Sequence, residues 1–327
     1  MSFRRRDHLL AQALACAALT APVACLEDDA AEDAQLRAGS LNCPKCALNA
    51  AQVGGNPISY LDLTGAPNEQ GIAILHVEDP EGEVYDFGVF QEELAAFHEG
   101  VLVASGEKMI GWQIVLDFAG KVKPITIDGW STLASWAKNG APISVYALGT
   151  EDEVNVCPGH APGDAALTII QGETYNAEYA VVDHQGPQWI TLACVDEAVF
   201  KVKRFGYGPN GDQGGGGKPA SVAQRTAAIK MVIADYCGKG HSFTAPQTKV
   251  MWRNATGTVS TADPLQLVMP EAVWTAEGAA CIGRPRWVPL AEVLKTCPLP
   301  MCSVYLAKTP GPHQWRSLVP WVPGAPY

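Results

Sequence analysis

The chain has 327 residues, of which 34 are acidic and 23 are lysine or arginine, so its formal net charge is −11. A chain this acidic repels nucleic-acid phosphates and anionic lipid surfaces, so we expect no nucleic-acid partner. The length is sufficient to bury a core in one or two domains.

Residues 1–25 have the pattern of an export signal. Arginines at positions 4–6 precede an apolar run over 9–24, which suits the core of a signal and is short for a membrane-spanning helix. Small residues precede Cys25, so two routes are open: cleavage before a lipid-bearing Cys25, or ordinary cleavage within 21–25. Either route predicts an extracytoplasmic protein that reaches the membrane only through an N-terminal lipid.

An acidic segment covers residues 26–56. Its beginning carries five carboxylates among alanines and shows no apolar periodicity, which predicts a solvated tether. Beyond this tether we expect an N-terminal β unit over 57–155, a second domain over 156–306 and a tail rich in proline and tryptophan over 307–327.

Short apolar and β-branched runs separated by turn residues predict many strands. In the N-terminal unit these runs are 71–77, 83–90, 109–118, 121–127 and 143–148. The same pattern continues at 166–170, 173–182, 189–194 and 198–204, and later at 249–253 and 272–275. Strands at this spacing favour an antiparallel sandwich or a partly open barrel.

The strongest helical pattern covers about 221–236, where apolar residues recur every three or four positions. Ser221 suits its beginning and Gly238 its end, and a shorter helix is expected at 290–296. The prediction is therefore an α+β, β-rich fold with antiparallel sandwich-like or barrel-like sheets and one main amphipathic helix. A glycine-rich loop at 206–218 lacks the spacing of a phosphate-binding loop.

Eight cysteines follow the end of the signal: Cys43, Cys46, Cys157, Cys194, Cys237, Cys281, Cys297 and Cys302. An even number in an exported chain predicts structural disulfides. Pairing of near neighbours predicts Cys157 with Cys194 and Cys237 with Cys281, and leaves Cys43 and Cys46 for Cys297 and Cys302. A redox CxxC motif at Cys43 and Cys46, or a zinc site that adds Cys297 and Cys302, stays open.

The helical pattern ends in the tetrad Ala234-Asp235-Tyr236-Cys237 and continues into a glycine-containing turn. An aromatic run that ends in cysteine lies at 189–194, and a later one at 271–281 is followed by Gly-Arg-Pro-Arg at 283–286. In this order the segments resemble the ADYC-domain family of secreted bacterial proteins, over roughly residues 60–305. The resemblance implies a β-rich extracytoplasmic protein and supplies no activity or catalytic residue.

The tetrad also makes physical sense as structure. We expect Tyr236 to pack on a sheet while its hydroxyl finds a partner, and Cys237 to link the helix end to a strand. Asp235 is expected to bind neighbouring backbone, or one of the two arginines Arg284 and Arg286.

Catalytic alternatives exist around the tetrad. Cys237 beside His241 and Asp235 would suit a thiol nucleophile, but half of a disulfide beside a turn histidine explains the same residues. Ser242 with Asp183-His184 lacks the GxSxG context of a serine hydrolase, and the histidines lack metal-ligand spacing. We therefore expect no cofactor and no metal, and name no catalytic residue.

Two functional hypotheses remain. The first is an exported, disulfide-stabilised envelope or secreted protein that binds a protein or glycan at the cell surface. The second is a secreted hydrolase or thiol-dependent enzyme whose catalytic residues are dispersed along the chain. Tryptophans on a β surface could stack on sugars, although most are expected in the core; they are Trp112, Trp130, Trp136, Trp252, Trp274 and Trp287. The sequence favours the first hypothesis.

Overall fold

The computed structural model describes residues 51–195, 197–211, 219–245, 248–260, 268–302 and 315–320. The signal with Cys25, most of the acidic tether with Cys43 and Cys46, and most of the tail lie outside these ranges. The expectations about them, including lipid attachment and the redox motif, therefore stay predictions. Within the described ranges no helix is long and apolar enough to span a membrane.

Ten strands form one antiparallel sheet. Two small hairpins accompany it, β1 (Gln52–Val53) with β2 (Asn56–Pro57), and β12 (Glu173–Tyr175) with β13 (Val181–Asp183). In spatial order the ten strands are β3 (Tyr60–Asp62), β14 (Trp189–Cys194), β11 (Leu167–Gln171), β10 (Ile143–Thr150), β9 (Lys121–Leu133), β8 (Gln113–Phe118), β4 (Ile72–Glu78), β5 (Val84–Phe90), β6 (Glu93–His98) and β7 (Val101–Ser105). Strands from both sides of residue 155 therefore share one sheet.

The long sheet bends so that β6 contacts β10. The backbone N–H of Leu94 donates to the hydroxyl of Tyr146 at 3.0 Å, and the Ser144 hydroxyl donates to the Glu93 carboxylate at 2.7 Å. Apolar side chains from both ends of the sheet fill the space between these layers and form one core. The predicted β-rich antiparallel fold is thereby confirmed, and in the described residues no sheet closes into a barrel.

A second sheet has four antiparallel strands, and the α-helices pack beside it. In spatial order the strands are β15 (Met251–Asn254), β18 (Trp315–Pro320), β16 (Val268–Thr275) and β17 (Gly278–Ile282). The helices are α1 (Ala198–Arg204), α2 (Val222–Ile233) and α3 (Leu290–Thr296). Helix α2 contacts α1 on one side and β16, β17 and β18 on another, so it lies at the centre of the second core.

Helix α2 begins at a capping box. The backbone N–H of Gln224 donates to the Ser221 hydroxyl at 3.3 Å, and the Gln224 side chain accepts from the Ser221 N–H at 2.8 Å. Every residue from 224 to 233 is buried. Arg225 and Lys230, which the helical pattern places off the apolar stripe, therefore need partners inside the protein.

Residues 198–204 form helix α1, so the strand predicted there is wrong. The apolar and β-branched residues of this segment continue the strand pattern of the sequence, but in the structure every residue of α1 is buried. The basic residues are buried because they have partners. The Lys203 ammonium donates to the carbonyl of Ile169 at 2.5 Å and lies 3.4 Å from the Glu92 carboxylate. Tertiary packing therefore outweighs the local preference of this segment for a strand.

Glu197 precedes α1 and is only 2 % exposed. In the described part of the chain its Oε1 atom has no hydrogen-bond partner. Burial raises the pKa of this carboxyl well above its usual range, although a hydrogen bond with the backbone of Cys194 lowers it in part. Folding therefore favours the protonated form of Glu197.

Replacing Glu197 by glutamine is expected to stabilise the protein increasingly as pH rises. The folded pKa lies above the unfolded one, so the native protein loses stability from about pH 4, the ordinary pKa of glutamate, up through the raised folded pKa. Glutamine does not ionise, so the variant does not lose stability in this way. Urea unfolding at pH 4 and pH 8 measures the difference between the variant and the unmodified protein. The exposed Glu292→Gln is the matched control, and an equal effect of both substitutions at both pH values would contradict the prediction.

Candidate functional site

The tetrad that carries the family resemblance lies where α2 ends. The helix stops at Ile233 rather than at residue 236 because Ala234 adopts a left-handed conformation with φ of 55°. The N–H of Phe243 donates to the carbonyl of Ala234 at 3.3 Å, which brings the following turn back onto the helix end. The next three residues consequently point into the protein rather than along the helix.

Asp235 forms a buried ion pair with Lys230. The Lys230 Nζ lies 2.6 Å from Asp235 Oδ2, and both side chains are at most 1 % exposed. The backbone N–H groups of Lys239 and Gly240 also donate to the Asp235 carboxylate, at 3.1 and 2.7 Å. The Lys230 ammonium further donates to the carbonyl of Glu178. The pair of Lys230 and Asp235 thus connects the helix end, the turn at 238–240 and the loop between β12 and β13.

Tyr236 joins a second buried ion pair. Its hydroxyl donates to Glu271 Oε1 at 2.5 Å. The same carboxylate accepts two hydrogen bonds from Arg286, at 2.5 Å from Nε and 2.9 Å from Nη2, in the bidentate arrangement that gives arginine pairs their strength. The Tyr236 ring stacks on Trp274 with a centroid separation of 5.0 Å. All four side chains belong to one packed cluster.

Arg286 also completes the end of helix α2. Its guanidinium donates to the carbonyls of Met231 at 2.8 Å and Val232 at 3.2 Å in the last turn of the helix, where the Met231 carbonyl also accepts from the N–H of Ala234 at 3.2 Å. Burial acts to lower the pKa of Arg286, but Glu271 and Tyr236 raise it overall. Burial and the negative charge of Glu271 raise the pKa of Tyr236 well above its usual range. The cluster therefore contains a charged arginine and a neutral tyrosine.

A close backbone approach fixes the residue after the tetrad as glycine. Gly238 has φ of +69°, and a Cβ atom there would lie 1.8 Å from the carbonyl oxygen of Glu277. The N–H of Ala279 donates to the carbonyl of Tyr236 at 2.9 Å across the same contact. The hairpin between β16 and β17 is thereby held against the tetrad.

Three disulfides lie in the described residues. Cys157 is bonded to Cys194, as predicted. Cys237 is bonded to Cys297 at the end of α3, and Cys281 to Cys302, so the predicted Cys237–Cys281 bond is wrong. Since Cys297 and Cys302 are both occupied, the predicted bonds from Cys43 and Cys46 to them, and a zinc site shared with them, are also wrong. Proximity along the chain failed here because the fold brings α3 to the helix end.

The catalytic alternatives are not assembled by the fold. The sulfur of Cys237 is in a disulfide, and the ring of His241 packs edge-on against Phe243 at 4.3 Å. Ser242 donates its hydroxyl to the carbonyl of Ile233 at 2.8 Å, and His184 is hydrogen-bonded to Thr174 at 2.8 Å. No cluster of three metal-ligating side chains occurs in the ranges that the structure describes.

The tryptophans are mostly core residues. Trp112, Trp252 and Trp274 are buried, and Trp130 and Trp136 are partly buried. Trp287 alone of the six has an exposed side chain, at 57 %. The described surface therefore has no row of tryptophans on which a sugar chain could stack.

Glu271 and Arg286 are the partners that sequence reasoning missed. The predicted binding of Asp235 to neighbouring backbone is confirmed at the N–H groups of Lys239 and Gly240. The alternative, an ion pair of Asp235 with Arg284 or Arg286, does not form, because Asp235 pairs with Lys230 and Arg286 with Glu271. A signal did exist, because both residues lie in the segments that carry the family resemblance. A carboxylate beside a buried strand needs a cation. The sequence alone does not show that the fold brings Glu271 and Arg286 together.

One of three comparisons with known proteins gives a match. The family model described as the ADYC domain matches residues 106–288, which is more than half of the chain and contains the tetrad, Glu271 and Arg286. No curated protein and no solved structure matches the chain. The matched segment begins inside the long sheet and ends just after Arg286. The chain belongs to the ADYC-domain family.

Proposed function

We propose that this protein is exported and works outside the cytoplasm as a disulfide-stabilised binding module rather than as an enzyme. The observation that carries the proposal is the use of the family tetrad. Asp235 is bound by Lys230, Tyr236 by Glu271 and Cys237 by Cys297, so each reactive group of the motif stabilises the fold. A catalytic motif would instead present such groups to a substrate.

Three structural disulfides support the extracytoplasmic location. Such bonds persist in secreted, periplasmic and cell-surface proteins, and cytosolic reductants remove most of them. The signal-like pattern of residues 1–25 points the same way. The compartment is thus the secreted, periplasmic or outer-membrane space, with lipid at Cys25 as the anchor in the last case.

Export and oxidation can be tested together by intact mass. We expect protein purified from its native host to begin at or near Cys25 and to bind no alkylating reagent at the six cysteines of the three disulfides until it is reduced. A lipid mass on Cys25 would identify the anchored form. A chain that retains residues 1–24, or that is alkylated at Cys237 without reduction, would contradict the proposal.

The end of the long sheet supplies a surface for a protein partner. Strand β7 is an edge strand, and its residues Val101, Leu102 and Val103 are 68 %, 37 % and 44 % exposed. The strand contains no charged residue and no proline, the features that commonly block edge pairing. An extended segment of another protein could add to this edge through backbone hydrogen bonds. This surface favours a protein partner over a glycan.

Charged residues on this edge are expected to abolish binding. We expect the purified protein to bind intact host cells saturably and the variant Val101→Lys with Val103→Lys to lose at least tenfold in affinity, because each lysine opposes pairing at the edge. Val122→Lys is the matched control, since Val122 is 62 % exposed on the interior strand β9. Equal binding by the edge variant and the control would rule out β7 as the surface.

A further inference from the structure

A row of three polar side chains crosses the four-stranded sheet. Arg253 on β15 and Arg316 on β18 are directly paired, and Ser260 faces Arg253 from the other side. Directly opposite residues of an antiparallel pair project from the same face, with Cβ atoms about 4.5–5.5 Å apart. The alternate residues Trp252 and Trp315 point to the opposite face and into the core that α2 shares. The row therefore lies on the face away from α2.

The two arginines of this row place like charges side by side. Neither forms an ion pair within the described residues, although acidic residues outnumber basic ones in the chain. Burial lowers the pKa of Arg316, and the neighbouring charge of Arg253 lowers it further. The Nε atom of Arg316 is shielded from solvent and has no hydrogen-bond acceptor in the described part of the chain.

Such a pair lowers the stability of the protein when no anion is bound. Like charges directly opposite each other destabilise a sheet. Four cations with buried side chains have a carboxylate partner, namely Lys203, Arg225, Lys230 and Arg286. The arginine row has no carboxylate partner among the described residues, and a bound anion would supply the counter-charge.

The row is accessible and partly preorganised. Arg253 and Ser260 are exposed, and Arg316 is partly exposed. The guanidinium of Arg253 lies over Gly257, where a Cβ atom would come within 3.3 Å of Nη2. The glycine therefore leaves room for the flat guanidinium against the turn that follows β15. A guanidinium held in place loses less entropy when it binds an oxyanion.

We propose that Arg253, Arg316 and Ser260 bind a doubly charged oxyanion, namely a phosphate, a phosphate monoester or a sulfate ion. Two guanidinium forks and one hydroxyl can donate to three oxygen atoms at once, and two positive charges match a dianion. A single carboxylate has two oxygens and one charge, so it would leave part of the row unpaired. The site lies in a different sheet from β7, so its test is independent of the proposed function.

Calorimetric titration of the full chain with inorganic phosphate, sulfate, methyl phosphate and acetate at constant ionic strength tests the proposal. We expect saturable binding of the dianions and at least tenfold weaker binding of acetate. Arg253→Gln and Arg316→Gln should each weaken phosphate binding at least tenfold, while Lys121→Gln, an equal charge change in the other sheet, leaves it unchanged. Comparable binding of inorganic and methyl phosphate would indicate a ligand that carries the group as an ester, and preference for the inorganic ions a free anion.

Thermal unfolding separates binding from a loss of fold. In chloride alone we expect Arg253→Gln to melt no lower than the unmodified protein, because the substitution removes the repulsion. Added phosphate should raise the melting temperature of the unmodified protein and of Lys121→Gln, but not that of Arg253→Gln. An absence of saturable phosphate binding, or the same phosphate response in Arg253→Gln, would overturn the proposal.

Discussion

Replacing Arg286 by methionine is expected to lower the free energy of unfolding by about 3–5 kcal/mol, the usual cost of removing one partner from a buried ion pair. The substitution leaves the Glu271 carboxylate fully buried without its cation, and it removes the guanidinium donor from the carbonyls of Met231 and Val232 at the end of α2. Urea unfolding of the oxidised protein, with the exposed Lys121→Met as control, measures the effect. We expect the control to change stability by less than about 0.5 kcal/mol.

A double-mutant cycle identifies the cause of this loss. Glu271→Met combined with Arg286→Met replaces the whole pair by apolar groups, which often restores much of the lost stability. We therefore expect the double variant to be more stable than Arg286→Met alone. If the two single effects simply add, the pair is not coupled and the loss arises from packing instead.

Removing the Cys237–Cys297 bond by two alanines is expected to cost about 4 kcal/mol, the chain-entropy value for a closed loop of roughly 60 residues. The separation of the two cysteines is 60 residues, whereas it is 21 for Cys281 and Cys302. The same relation gives about 3 kcal/mol for the shorter loop. Urea unfolding of both double-alanine variants, with the other disulfides intact, compares the two costs.

The order of these two costs is the informative result. A larger loss on removing Cys237–Cys297 would agree with a bond that mainly restricts the unfolded chain and holds α3 to the end of α2. A larger loss from the Cys281–Cys302 variant would instead show that local packing around β17 determines the effect. Equal unfolding of both variants and the unmodified protein would contradict a structural role for either bond.

Local patterns predicted much of the fold. The strand at 143–148, the helix beginning at Ser221 and the helix at 290–296 all agree with the structure to within a few residues. These segments have a periodicity that matches their burial, and turn or cap residues at their ends. The strand predicted at 198–204 is wrong. Both the apolar and the basic residues of this segment are buried, so their order in the sequence does not show which side faces solvent.

The candidate site was only partly predictable. A buried partner for the Tyr236 hydroxyl follows from the cost of leaving it unpaired, and the structure confirms this partner in Glu271. That Glu271 also binds Arg286 depends on how β16 and the segment after β17 are arranged in space. The bonds of Cys237 and Cys281 depend on the same arrangement, since eight cysteines allow 105 connectivities and sequence distance predicted Cys157–Cys194 but not these two bonds.

The connectivity of two disulfides has a consequence for how the protein is made. Along the chain the four cysteines alternate between the two bonds, in the order Cys237, Cys281, Cys297 and Cys302. The shortest loop among them would join Cys297 to Cys302, and short loops close at the lowest entropic cost. If the chain is exported as proposed, we expect its oxidation to form a non-native bond first and the two native bonds to arise through thiol–disulfide exchange. On this expectation, refolding of the reduced chain is faster with an oxidant and a disulfide isomerase together than with the oxidant alone.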